Sequence, residues 1–242
     1  MSENPVRDLH DLVARSEDPV VASTRPATTS ALEMKRMVGD VIAKLKPDGV
    51  SVVELGSGTG VLGMPIARRA ARYAGVDISP QAVEVLRERL PNAVVRCADV
   101  TRDDLRDLGS FDRVLVYATL HYVTDEAEGE RFVRGALGLL APGGRALFGN
   151  LPLPAEDLPH SRLQRALGRA WTGSRRVGRR FRRQPLRPDP SSMPAGYCLP
   201  LSRRLIESWL RQVPGVRWRW VAPRLGVPLQ RSRADLLVEK RG

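Results

Sequence analysis

Along most of the chain, short runs of apolar residues alternate with longer stretches in which apolar residues recur every three or four positions. The short runs are typical of buried strands, and the longer stretches are typical of amphipathic helices. The runs that predict strands in the first part of the chain are 51–56, 73–77, 93–97, 112–117 and 145–149. The stretches that predict helices between them are a segment ending at Arg72, 80–90 and 126–140.

The clearest helix signal comes before the first predicted strand. Ser30 is a favourable N-cap and Glu33 follows three positions later, which is the capping-box pattern. Apolar residues then recur with helical spacing through Leu45, and Pro47-Asp48-Gly49 predicts the end of the helix. Residues 1–29 are polar, contain three prolines and have no sustained period. They are predicted to form an arm or a loosely packed lid.

The order of these elements predicts the fold class. Strands separated by helices of about 10–15 residues predict a parallel sheet with crossover helices. After an interruption, a helical pattern at 202–213 and strand patterns at 216–221 and 234–239 bring the number of predicted strands to seven. The predicted organisation is an arm or lid at 1–29, an α/β core at 30–150, a basic insertion or lid at 151–200, and a C-terminal helix and strands at 201–242.

Composition excludes several classes of protein. Hydrophobic residues make up 42% of the chain and charged residues 27%, which is typical of a globular protein. No apolar run approaches the roughly 20 residues that cross a bilayer, and the first residues are polar and acidic, unlike a signal peptide. Cys97 and Cys198 are far apart and no CxxC is present, which excludes a disulfide framework and a zinc ribbon. These features predict a cytoplasmic protein.

The net charge of +12 is concentrated in one segment, because ten arginines and no acidic residue lie between Arg162 and Arg187. Within it, residues 161–183 would place their apolar residues on one side of a helix, although three glycines weaken that helix. Such a basic amphipathic stretch is typical of surfaces that contact membranes or partners. A substrate lid, a peripheral membrane contact, a grip on nucleic acid and a passive surface insertion all remain open.

A glycine-rich turn follows the first predicted strand, in the sequence Glu54-Leu55-Gly56-Ser57-Gly58-Thr59-Gly60. Glycines allow a tight turn and let a ligand approach the backbone closely. The spacing differs from the dinucleotide-binding fingerprint, since the third glycine comes one residue early, and the Gly-Lys-Ser/Thr ending of a P-loop is absent. The turn alone is weak evidence, and its meaning depends on the strand ends that follow.

GVDIS ends the second predicted strand and CADV ends the third. With these motifs, residues 30–150 resemble a class I S-adenosylmethionine-dependent methyltransferase of the small-molecule type. The resemblance implies a Rossmann-like sheet of seven strands with helices on both faces and the last strand antiparallel. It also implies S-adenosyl-L-methionine as the cofactor.

The resemblance assigns one acidic residue at the end of each of the first three strands to the cofactor. It implies that Asp77 accepts hydrogen bonds from both ribose hydroxyls, that Asp99 receives the adenine amino group, and that Glu54 supports the glycine turn and the methionine amine. Taken singly, Asp77 could cap a helix and Asp99 could be a turn residue. The other cofactor contacts that it implies are Gly56, Ser57, Gly58, Gly60, Ile78, Val100 and Tyr117.

The end of the fourth strand is where the resemblance places the methyl acceptor, and His121 lies there. A hydroxyl acceptor must lose its proton as it attacks, and an imidazole suits that task at neutral pH. His121 is therefore the candidate general base, although it could also pack on the adenosyl group or bind a backbone carbonyl. Acids at 125, 126 and 128 could suggest a metal, but they suit the start of a helix, so no metal is expected.

The sequence lacks the motifs of the nucleic-acid enzymes that methylate exocyclic amino groups or C5 of cytosine. It also lacks the cysteine motif of radical methylation. The sequence therefore predicts direct methyl transfer to a small-molecule or glycan acceptor, at a hydroxyl. One alternative is an RNA methyltransferase that uses the arginine segment. The other is a degenerate cofactor-binding partner without activity.

Overall fold

The computed structural model describes residues 5–14, 16, 30–159, 199–224 and 233–242. The arginine segment 162–187, Cys198 and most of the predicted insertion lie outside the described residues, so the alternatives for that segment stay predictions. Within the described ranges, no helix is long and apolar enough to cross a membrane.

The described residues form one sheet of seven strands in the order β3-β2-β1-β4-β5-β7-β6. Strand β7 is antiparallel to both of its neighbours, and the other pairs are parallel. This confirms the predicted α/β fold with an antiparallel last strand. The strands are β1 (Ser51–Leu55), β2 (Arg72–Asp77), β3 (Val94–Cys97), β4 (Phe111–Tyr117), β5 (Leu140–Pro152), β6 (Val216–Val221) and β7 (Arg233–Lys240).

Helices cover the sheet on both faces. The core on one face contains side chains of α2, and the core on the other face contains side chains of α5 and α6. Strand β4 shows the division, because Val114 and Val116 belong to the α5–α6 core while Leu115 and Tyr117 belong to the α2 core. The helices are α1 (Pro5–Ala14), α2 (Ala31–Leu45), α3 (Gly63–Ala67), α4 (Pro80–Arg89), α5 (Glu126–Gly138) and α6 (Arg203–Arg211), and short 3-10 turns lie at Arg106–Leu108, Leu120–Tyr122 and Ala155–Asp157.

The capping box predicted for α2 is present. The Ser30 Oγ accepts a hydrogen bond from the Glu33 amide at 3.2 Å, and the Glu33 carboxylate accepts one from the Ser30 amide at 2.8 Å. These bonds satisfy donors that a helix start otherwise leaves unpaired.

The N-terminal region differs from the sequence expectation. Residues 1–29 were expected to form an arm or a loosely packed lid, with no helix predicted in them, but Pro5–Ala14 form helix α1. The helix is held by contacts distant in sequence, since the Ser79 hydroxyl donates a hydrogen bond to the Asp11 carboxylate. A local pattern could not report those contacts.

Three element boundaries also differ from the expectation, and strand pairing explains them. Helix α5 ends at Gly138 because Leu140 already pairs with Phe111 of β4, so β5 begins well before the predicted position 145. The helical segment expected up to Arg72 is shorter, since Arg72 pairs with Ser51 and belongs to β2.

The chain segments that follow β1, β2, β3 and β4 meet at the carboxyl edge of the parallel strands, where ligands of such sheets bind. Because β7 runs in the opposite direction, its first residue lies at this edge too, with Arg233 paired to Pro152 at the end of β5. This edge therefore combines residues from both halves of the chain.

Candidate functional site

The glycine-rich turn is anchored on the neighbouring strand. The amides of Gly56 and Ser57 donate to the Val76 carbonyl at 2.8 and 3.0 Å, and Gly56, Gly58 and Gly60 all have positive φ. A Cβ at Gly56 would collide with the side chain of Thr119, which follows β4. Glycine is therefore required at position 56 both for the backbone conformation and for the approach of the β4 end.

Asp77 organises this turn. Its carboxylate is buried and accepts hydrogen bonds from the Gly58 amide at 2.6 Å and the Ser79 amide at 3.0 Å, one on each oxygen. A carboxylate can accept about four hydrogen bonds. Each oxygen of Asp77 therefore has room for one more donor, as the pair of ribose hydroxyls implied by the resemblance would require.

Glu54 lies below the turn, out of contact with solvent. Its Oε2 accepts a hydrogen bond from the Tyr73 hydroxyl at 2.6 Å. Burial raises the pKa of Glu54 to about 8, despite the hydrogen bond from Tyr73, and burial together with Glu54 raises the pKa of Tyr73 well above its ordinary value. The carboxyl group of Glu54 is therefore protonated at neutral pH while no cation lies beside it.

Two hydroxyl groups of the turn are buried without a hydrogen-bond partner among the described residues, namely Ser57 Oγ and Thr59 Oγ1. Buried polar atoms in native proteins are almost always satisfied by protein, water or ligand. Ser57 is one of the predicted contact residues, and its orphaned hydroxyl marks the turn as a place where a polar ligand fits. Gly60 is the last glycine of the turn. A Cβ there would collide with the α4 residue Leu86, since it would lie 2.6 Å from Leu86 Cδ1.

Asp99 is engaged in a local turn. Its Oδ1 accepts hydrogen bonds from the Thr101 amide at 2.8 Å and the Thr101 hydroxyl at 2.7 Å, and its Oδ2 lies 3.6 Å from the Arg102 guanidinium. Asp99 thus acts as a turn residue, the alternative considered from the sequence, and its Oδ2 can still accept a hydrogen bond. The adjacent Val100 packs against the α5–α6 core, and the Ile78 carbonyl accepts a weak hydrogen bond from the Cys97 thiol.

Helix α1, within the segment predicted to form an arm or lid, lies against the site. The His10 ring meets the Tyr122 ring edge-on at 5.5 Å between centroids, and Asp11 accepts from Ser79, two residues after Asp77. Burial lowers the pKa of His10, although the charges of Asp77 and Asp11 oppose that shift. His10 thus lies between the glycine turn and the end of β4.

His121 lies in the 3-10 turn after β4, and its ring centroid is 4.3 Å from that of Tyr122. Its Nδ1 is buried without a hydrogen-bond partner among the described residues. Burial, with the nearby charges of Arg233 and His10, lowers the pKa of His121 to about 3, so the imidazole is neutral at physiological pH. The buried Arg233 was not singled out from the sequence, because only the reversed direction of β7 brings it to this edge.

The structure therefore brings together most, but not all, of the predicted residues. The glycine turn and Asp77 share a direct hydrogen bond, Glu54 lies directly beneath them, and His121 is linked to them through His10. Tyr117 packs in the α2 core, close to Gly149.

Comparisons with known proteins agree with this geometry. Residues 53–148 match the family model of the methyltransferase domain. The ubiquinone biosynthesis O-methyltransferase of Xanthomonas axonopodis pv. citri (strain 306) is 32% identical over 116 residues, which are 46% of this chain and 47% of that protein. The magnesium-protoporphyrin O-methyltransferase of Rhodobacter capsulatus is 32% identical over 109 residues, 43% of this chain and 48% of that protein. The chain thus spans about half the length of these curated relatives.

A solved structure extends the likeness of the fold over nearly the whole chain. The N-methyltransferase NodS of Bradyrhizobium japonicum WM9, crystallised with S-adenosyl-l-homocysteine, superimposes with a TM-score of 0.63 at 16% identity and covers 97% of both chains. At that identity the similarity establishes the fold. Residues 53–148 of this chain are thus similar to the methyltransferase domain, and the chain shares the fold of this N-methyltransferase.

Proposed function

We propose that this protein transfers the methyl group of S-adenosylmethionine to a hydroxyl group of a small-molecule or glycan acceptor. The observation that carries the proposal is the juxtaposition, at one edge of the sheet, of Asp77, which binds the glycine turn, and the neutral His121 after β4, with His10 between them. Two relatives bear the names of O-methyltransferases for ubiquinone biosynthesis and magnesium-protoporphyrin, which supports a small-molecule acceptor.

The residues present fit this cofactor. Asp77 can accept two further hydrogen bonds from ribose hydroxyls, and Asp99 Oδ2 can accept one from the adenine amino group. Ser57 Oγ has no hydrogen-bond partner among the described residues. When bound, the cofactor supplies a methyl group on a sulfonium centre. A cationic amine near Glu54 would lower the raised pKa of that carboxyl group and favour its charged form.

His121 has the properties of a proton acceptor for a hydroxyl nucleophile. Its neutral imidazole carries a buried Nδ1 without a partner among the described residues, which can accept the proton as the acceptor oxygen is alkylated. The low pKa makes this a weak base, so proton transfer would accompany methyl transfer rather than precede it. Burial, together with the nearby charge of Arg233, keeps the imidazole neutral over a wide range of pH.

Calorimetric titration with S-adenosylmethionine tests the proposed function. Asp77→Asn keeps the shape of the side chain but removes the charge-assisted hydrogen bonds, each worth roughly 1.5–3 kcal/mol, so binding should weaken by at least about tenfold. Asp104→Asn is the matched control, because Asp104 is fully exposed. An unchanged affinity of Asp77→Asn, or no binding by the wild type, would contradict the proposal.

A further inference from the structure

Four charged residues form one row across the sheet at the edge remote from the glycine turn. Strand register aligns Arg113 of β4 with Arg145 of β5, Arg145 with Glu239 of β7, and Glu239 with Arg217 of β6. Neighbouring strands are about 4.8 Å apart, so these four side chains stand next to one another. The row therefore holds three guanidinium groups and one carboxylate.

These residues line a cavity of about 370 Å³, and Lys240 and Arg241 line it as well. Glu239 is the only acidic side chain among the described lining residues, and it is shared by Arg145 at 2.8 Å and Arg217 at 2.9 Å. Burial and the charge of Arg145 lower the pKa of Arg113. Like charges aligned on adjacent strands destabilise a sheet, so an anion in this cavity would be stabilising.

A structural role accounts for only part of this arrangement. Arg113 Nε donates to the Lys46 carbonyl at 3.1 Å and Arg145 Nη1 to the Lys44 carbonyl at 3.2 Å, so both arginines cap the end of α2. A guanidinium has five donors. Arg145 Nε is buried without a partner among the described residues, and neither cap needs Arg217 or Arg241.

The cationic surface continues beyond this cavity. A second cavity, of about 260 Å³, shares Arg145 and is lined by Lys46, Arg219 and Arg224. Lys44 also lines this cavity, but its ammonium group is already paired with Asp40 and Asp235. Around the row, one acidic side chain faces five cationic side chains among the described lining residues.

We infer that the cavity around Arg113, Arg145 and Arg217 is a binding site for a phosphate group. Guanidinium groups match the oxygen atoms of phosphate with paired hydrogen bonds, and several of them together hold more than one negative charge. The site lies at the opposite edge of the sheet from Asp77, so it is separate from the proposed cofactor site. The phosphate could belong to a soluble phosphate ester or to a lipid headgroup.

Calorimetry with inorganic pyrophosphate, at constant ionic strength, tests this inference. The variant Arg217→Gln/Arg241→Gln removes two exposed cations of the cavity and should lose one binding site or weaken it by about tenfold or more. The control Arg204→Gln/Arg211→Gln removes the same charge from α6. That helix lies on the other face of the sheet, since Glu207 binds the Trp220 indole there. The control should bind like the wild type.

Equal affinity and stoichiometry for the wild type and Arg217→Gln/Arg241→Gln would overturn the inference, because the binding would then come from arginines elsewhere. Equal losses in both variants would overturn it too, as a mere effect of net charge, and so would the absence of saturable binding. The same variants with glycerol 3-phosphate, and with phosphatidylcholine vesicles containing phosphatidic acid, distinguish the two sources. A selective loss in either assay supports the site and names its ligand class.

Discussion

Asp77 and Asp99 both follow a parallel strand, yet their carboxylates serve different neighbours. Asp77 is buried and binds the glycine turn through the Gly58 amide, whereas Asp99 holds its own turn through Thr101. A residue type at a strand end therefore predicts the location of a site better than it predicts the contacts made there. The hydrogen bonds that decide those contacts come from segments that a local pattern does not connect.

At the residue scale, His121 gives a direct test of the chemistry. His121→Asn should lower kcat by about 10²–10⁴, the usual contribution of a positioned base, while the affinity for S-adenosylmethionine stays near that of the wild type. Steady-state kinetics and calorimetry measure the two quantities. A loss of cofactor binding with little change in kcat would make His121 a packing residue instead.

The pH profile of a second variant checks the same assignment. Arg233 is one of the charges that lower the pKa of His121. Removing that charge in Arg233→Met should raise this pKa, so the acid limb of kcat should move to higher pH. Arg204→Met removes an exposed arginine of α6 and should leave the acid limb where it is.

Glu54 predicts how the stability of the free protein depends on pH. Its pKa is about 8 in the folded protein against an ordinary value of 4.5, so the folded state holds an extra proton between these two pH values. This contribution to stability is complete below pH 4.5 and is lost as the pH rises towards 8, by up to about 1.4 kcal/mol per pH unit.

Glu54→Gln keeps an oxygen acceptor for the Tyr73 hydroxyl but does not titrate. Urea unfolding at pH 6 and pH 8 should therefore show a larger loss of stability in the wild type than in this variant. Identical losses would mean that Glu54 is charged in the folded protein.

At the element scale, Lys44 joins three parts of the chain. Its Nζ lies 2.6 Å from Asp40 Oδ2 on α2, 2.5 Å from Asp235 Oδ2 on β7, and 3.2 Å from the Ala222 carbonyl. Both aspartates are buried. Since Asp235 also accepts the Asn150 amide at the bend of β5, this network fixes α2 against the strands that end at the site.

Removing the shared cation should be costly. Lys44→Met leaves buried carboxylates with too little positive charge, and the loss of one partner of such a pair costs about 3–5 kcal/mol. Lys35→Met, at an exposed position of the same helix, should change the free energy of unfolding little. Urea unfolding of both variants gives the comparison, and similar values for the two would show that the network adds nothing.

Elements with strong local signals were predictable from the sequence, and those fixed by distant partners were not. Ser30 and Glu33 predicted the start of α2 correctly because a capping box is local. Helix α1 was missed because its contact with Ser79 crosses much of the chain. The early start of β5 was missed because pairing with Phe111 overrides the turn signals of Pro142 and Gly143.

At the scale of the whole molecule, the alternation of strands and helices was enough to predict the sheet. The antiparallel direction of its last strand was implied by the resemblance. The location of a residue at the carboxyl edge was predictable where a single strand determines it, as for Asp77 and His121. Arg233 escaped because its place depends on the direction of β7. Most of the net charge of +12 arises between Arg162 and Arg187, and this segment bears on the class of methyl acceptor.

That segment allows a test of the acceptor class. With a small-molecule acceptor, the protein should transfer no labelled methyl groups from S-adenosylmethionine to bulk RNA at physiological salt, even though ten arginines would bind RNA at low salt. Scintillation counting of precipitated RNA measures this. Robust labelling that disappears when 162–187 is deleted would instead favour the alternative of an RNA methyltransferase.

The position of β7 between β5 and β6 has a consequence for how the protein is made. A ribosome synthesises β6, an arginine- and tryptophan-containing strand, before β7, which is its partner in the described sheet. The glycine turn and Asp77 can already be assembled at that stage, because β1, β2 and β4 come earlier. Arg233 reaches His121 only with the last strand described, so this part of the carboxyl edge is completed after the glycine turn.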